Sequence, residues 1–109
     1  MISWEDFQKA HIRVGTITRA DYFSEAIKPS LKLWINLGPL GIKASSAQIT
    51  AHYKPEMLVG KQVVCVVNLK PKKIGGFLSE VLVTGFPDDQ NNVVLCVPGK
   101  PVPDGARLF

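Results

Sequence analysis

The clearest periodicity in the chain lies in "LKLWINL", residues 31 to 37, where Leu31, Leu33, Ile35 and Leu37 alternate with Lys32, Trp34 and Asn36. A period of two puts the four apolar residues on one face of a strand and the lysine and tryptophan on the other. Upstream, "HIRVGTI" sets Ile12, Val14 and Thr16 against Arg13, Gly15 and Ile17, which predicts a strand over 12–17 with a bend at Gly15. "QVVCVVNL" is too β-branched and too short for a helix and predicts a strand covered on both sides. "IKASS" predicts a short strand ending in two serines, Ser45 and Ser46, placed to cap the segment that follows. "SEVLVTGF" and "VVLCV" predict two more strands, joined by the polar turn "PDDQNN".

Helical signals are few. Ser3 and Asp6 in "SWED" predict a short capped helix with Phe7 as its anchor, and Pro55 limits "AQITAHYKPEML" to one or two turns. The tail "PGKPVPDGARLF" predicts an extended, irregular course ending in a short edge strand. Five or six closely spaced strands with one small helical connection describe an all-β domain over residues 1–109, a five-stranded OB-fold barrel with short helical segments.

Composition narrows the class. At 109 residues and 46% hydrophobic, the chain is the size of one domain that can bury a core without disulfides. It has no run of eighteen apolar residues and its start is acidic, so neither membrane insertion nor a leader is expected and the reading is cytoplasmic. Cys65 and Cys96 sit in valine-rich strands, where a thiol behaves as a small hydrophobe. His11 and His52 have no second ligand at metal spacing, so no metal and no cofactor are expected. Nucleophile-elbow and phosphate-loop motifs are absent, and the chain reads as a non-enzyme.

Charge adds a partner. The total is +4, but residues 27 to 79 carry eight lysines against Glu56 alone, while both flanks are slightly acidic. Positive charge segregated in this way is the footprint of a polyanion, set against the plainer reading of a solvated lysine face. In "NLKPKKIGGF", Pro71 and the glycines turn the chain as it leaves the valine strand, so Lys70, Lys72 and Lys73 are expected on one rim, with the Asn68 amide free to read a base, a sugar or a peptide edge. OB-folds bind oligonucleotides on the face of strands 2 and 3. That face adds Lys32, Trp34, Lys43, Ser45, Ser46 and Gln48 as candidates. Trp34 is a stacking platform in this reading, or else packs on a partner subunit or on the loop before its strand. Ser79 and Glu80 contact ligand or close their turn, and apolar Phe77 beside the rim suits a polypeptide.

"HIRVGTI", "IKASSAQI" and "YKPEMLVGKQVVCVVNLKPKKIGGFLSEVLV" resemble the tRNA-binding domain family, and within it the CsaA type, over nearly the whole chain. The resemblance implies an OB-fold, a homodimer built partly from the terminal segments, and binding of tRNA or of unfolded, export-bound polypeptides without catalysis. Many appended tRNA-binding domains have Asp-Ile-Arg where this chain has His11, Ile12 and Arg13, and Ser-Glu-Gly-Met where it has Ser79, Glu80, Val81 and Leu82. The second departure fits the CsaA branch, and the loop "FSEAIKPS" is longer than the compact form usual in the synthetase modules. Two functions therefore stand side by side, an RNA-binding module and a chaperone.

Overall fold

The computed structural model describes residues 1–109. Helix α1 (Trp4–Gln8) begins where the Ser3 hydroxyl accepts the Asp6 N–H at 3.0 Å, as its capping sequence predicts. Strand β1 (Ile12–Tyr22) continues well past Ile17. Its second half escaped the periodicity because the register shifts between Ile17 and Arg19, leaving Thr18 as a bulge that breaks the alternation. Gly15 is not the bend. It is buried beside β2 (Leu31–Asn36), where an added Cβ would stand 2.5 Å from the Ile35 side chain.

A short 3-10 turn (Gly38–Leu40) leads into β3 (Ile42–Ala47), and the single turn of α2 (Pro55–Leu58) precedes β4 (Gln62–Val66). Ser45 and Ser46 lie within β3 and cap nothing. The remaining strands are short: β5 (Lys72–Ile74), β6 (Phe77–Ser79), β7 (Leu82–Val83), β8 (Gly85–Pro87) and β9 (Val93–Leu95). The stretch read as one strand, "SEVLVTGF", is thus divided among three. The chain crosses there from the β5–β6 ribbon to the barrel and then enters the β8–β9 hairpin, so no single partner edge serves it.

Five strands form one antiparallel sheet in the order β3-β2-β1-β4-β7. The sheet curls until the Glu80 and Val81 N–H groups reach the Ala44 carbonyl at 2.8 and 3.3 Å, nearly closing an OB-type barrel. Ile17, Leu31, Leu33, Ile35, Leu37, Val63 and Cys65 fill it, and Leu58 of α2 joins them, all at 0% exposure. Strand β4 faces the core with Val63 and Cys65 only; Val64 and Val66 are half-covered, which corrects the expectation of burial on both sides. The tail takes up the stretch of β1 not paired with β2: Gly105 N–H donates to the Val14 carbonyl, Val14 N–H to Ala106 and Leu108 N–H to Ile12, at 2.7 to 2.9 Å.

Candidate nucleic-acid interface

Gly75 and Gly76, at φ 52° and 81°, let the chain reverse between β5 and β6 within two residues. The resulting ribbon pairs Lys72 with Ser79, Lys73 with Leu78 and Ile74 with Phe77. Alternation then sets Lys72, Ile74, Phe77 and Ser79 on its inner face and Lys73 with Leu78 on its outer face. Lys72 and Lys73 therefore leave the ribbon on opposite faces, which the turn residues alone could not reveal.

The ribbon leans over β3 and leaves a groove of two adjoining cavities, of about 490 and 290 Å³, that share Ser46, Gln48, Lys72 and Ile74. Lys28 and Lys73 line the larger, with Ile27 and Ser30; Lys70, Leu69, Ser79 and Glu80 line the smaller. None of Lys28, Lys70, Lys72 and Lys73 is ion-paired: the salt bridges are Lys9–Asp6, Arg19–Asp21, Lys32–Glu25, Lys43–Glu80 and His52–Asp88. Unpaired ammonium groups along a groove attract an anionic polymer without first surrendering a carboxylate.

Ser79 and Glu80 form the seam of the barrel. The Ser79 hydroxyl accepts the Ser46 N–H at 3.0 Å, and Glu80 Oε1 accepts the Ala44 N–H at 3.1 Å. Side chains thus satisfy β3 donors that a longer facing strand would satisfy with carbonyls. Lys43 lies 3.9 Å from the other Glu80 oxygen, also at the seam. Ser45 faces the barrel interior opposite Leu33 and is 1% exposed, so the expectation that it meets a ligand is corrected: alternation along β3 turns Ser46 outward and Ser45 inward. The Asn68 amide is engaged by the N-terminal segment, accepting the His11 N–H at 2.8 Å and donating to the Lys9 carbonyl at 2.7 Å.

The outer face of β2 carries a chain of aromatic rings. Phe77 stands edge-on between Phe23, at 5.5 Å, and Trp34, at 5.8 Å, and the Lys32 ammonium sits 4.7 Å from Phe23 and 5.3 Å from Phe77. The Glu25 carboxyl is held below its ordinary range by a backbone N–H, then by Lys32 and by the Ser24 hydroxyl. Arg19 lies over Trp34 with its guanidinium 4.7 Å from the ring centroid. Sequence reasoning missed Lys28 and Arg19 as parts of this surface. The segregated lysine charge contained a signal for Lys28; nothing local marked Arg19, whose position depends on the bulge.

This groove, on the β2–β3 side of an OB-type barrel, has relatives. Residues 12–107 match the family described as "Putative tRNA binding domain". The chain belongs to the tRNA-binding domain family. Among solved structures, members similar to it include the chaperone CsaA of Bacillus anthracis, 47% identical, covering 100% of this chain and 99% of that one with a TM-score of 0.94. CsaA of Picrophilus torridus is 44% identical over the whole of both chains, at a TM-score of 0.92. Among curated proteins, the methionine–tRNA ligase of Bacteroides fragilis is 36% identical over 107 residues, which are 98% of this chain but 16% of the ligase. The chain therefore spans a small part of the length of the ligases it matches, the part equivalent to one tRNA-binding domain.

Proposed function

We propose that the protein is a non-catalytic, cytoplasmic homodimer that binds structured tRNA along the groove between the β5–β6 ribbon and β3. The observation that carries this reading is the set of four unpaired lysines, Lys28, Lys70, Lys72 and Lys73, lining one continuous groove in a member of the tRNA-binding domain family. Each lysine that neutralises a phosphate releases counterions, so affinity falls with salt in proportion to the contacts made. Replacing one of them with Gln should reduce the logarithmic salt slope of tRNA binding by about 0.7 to 0.9. Titrations at several salt concentrations test this. An unchanged slope in the Lys70, Lys72 and Lys73 triple variant would place the RNA elsewhere.

A second reading, a chaperone for unfolded export-bound polypeptides, is favoured by the apolar groups in the same groove, Ile27, Leu69, Ile74 and Leu82, and by similarity to proteins described as CsaA chaperones. A groove shared by both ligands requires them to compete. Denatured protein should displace fluorescent tRNA, with Lys72→Gln weakening RNA binding more and Ile74→Ser weakening polypeptide binding more. Polypeptide binding that persists unchanged at saturating tRNA excludes a common groove.

A further inference from the structure

The bulge in β1 decides what lies on Trp34. Before it, Thr16 pairs with Asn36 and Ile17 with Ile35; after it, Arg19 pairs with Trp34, and Thr18 is left over, its hydroxyl donating to the Trp34 carbonyl at 3.2 Å. An unbroken register would set Thr18 opposite Trp34. The extra residue brings Arg19 there instead, and bulges commonly re-aim a side chain in this way. The guanidinium lies 4.7 Å from the indole centroid and is steadied by Asp21, whose carboxylate accepts from Arg19 Nη2 at 2.7 Å. The Arg19 side chain is nevertheless 67% exposed, so it is free to lift.

The indole is held from behind. Phe77 meets it edge-on at 80°, and Phe77 is in turn braced by Phe23, which is 3% exposed. A flat ring fixed by its neighbours, with a planar cation loosely on its surface, is a two-sided slot for a third planar group. Unpaired nucleobases are bound between aromatic rings and arginine planes, and stacking of a base on the ring outweighs an exposed cation–π contact.

We propose that Trp34 and Arg19 form a clamp for one unpaired nucleobase, the base entering between indole and guanidinium. The proposal rests on the RNA-binding reading above and adds to it a preference: the surface takes RNA with an unstacked base, from a loop or an end, over uninterrupted duplex. Lys32, on the same face of β2 two residues from Trp34, stands where the adjoining phosphate would pass.

The test uses the full chain carrying Trp4→Phe, which leaves Trp34 as the sole indole. The probes are a short single-stranded oligoribonucleotide and a blunt RNA duplex of equal charge. The single strand should quench Trp34 emission and the duplex should not. Trp34→Ala should weaken single-strand binding about tenfold and leave duplex binding within about twofold. Arg19→Ala should also weaken the single strand, and Arg19→Lys should fail to restore it, because an ammonium offers no plane to stack. The clamp is overturned if both probes quench alike, if Trp34→Ala binds the single strand normally, or if Arg19→Lys restores binding, which would reduce Arg19 to a point charge. Duplex and tRNA binding that depends on Lys70 and Lys72 while Trp34 stays silent defeats the clamp alone. Absence of binding by either probe or by tRNA defeats the clamp and the RNA reading together.

Discussion

A methyl group at Gly15 would stand 2.5 Å from the Ile35 side chain, 2.7 Å from Leu37 and 2.8 Å from the Asn36 carbonyl. One contact is backbone and the others belong to residues with no exposure, so no neighbour can withdraw cheaply. Gly15→Ala should lower stability by about 1–3 kcal/mol, read from the urea midpoint at unchanged slope. A midpoint equal to the parent's would mean that β1 and β2 can separate there. Cys65 makes a second test. Burial pushes its thiol up to about 12, from an ordinary value of 9.0. The folded chain therefore keeps a proton that the unfolded chain loses, and stability from this group falls as pH rises above 9.0 toward 12. At pH 8, iodoacetamide should leave Cys65 unmodified in native protein and label it in denaturant; native labelling rejects the burial argument. Both residues were named by sequence, Gly15 for the wrong reason and Cys65 for the right one. Glycine in a strand pattern means either a bend or a close approach, and only the neighbouring strand distinguishes them.

At the scale of the element, the β8–β9 hairpin is held by side chains from the segment before α2. His52 Nε2 and Asp88 Oδ2 are 2.6 Å apart, and the Tyr53 hydroxyl accepts the Leu95 N–H at 2.9 Å. Asp88 also accepts the Asn92 and Gln90 N–H groups across its own turn. The Asn92 N–H and then His52 hold its carboxyl below the usual carboxylate range. A depressed carboxyl contributes stability that is present above the unfolded pKa and lost as pH falls through the folded one. The Asn92 amide resonance should accordingly titrate with a midpoint below 3.8, the ordinary value. A midpoint at or above that value would show that the turn is not built on the charged form. The run "PDDQNN" was legible as a turn from composition. Its clamp to His52 was not, because the two lie 36 residues apart in sequence.

Over the whole molecule, apolar side chains gather where the termini meet. Trp4 and Phe109 are 60% and 99% exposed, Leu108 is half-exposed, and with Phe7 and Ala10 they line a cavity of about 250 Å³. Phe86 and Val94, cross-strand neighbours in the β8–β9 hairpin, add further exposed apolar area. Exposed apolar area of this kind is the surface that the proposed homodimer would cover. Sedimentation equilibrium should give twice the 11.9 kDa of one chain, and deletion of residues 101–109 should shift the protein toward monomer or aggregate. A monomer at micromolar concentration in the intact protein excludes the dimer.

The sequence by itself determined the barrel, the capped first helix and the presence of a basic surface. These follow from local causes: alternation in "LKLWINL", a serine three residues before an acidic one, and eight lysines in one stretch of chain. Tertiary structure decided which of those lysines share a groove, that Ser45 turns inward while Ser46 turns outward, that Ser79 and Glu80 close the barrel seam, and that Arg19 lies on Trp34. Each of these depends on register between strands distant in sequence, and a shift of one residue moves a side chain to the opposite face. The bulge at Thr18 is such a shift, and the pattern of apolar and polar residues carries no mark of it until β2 lies alongside.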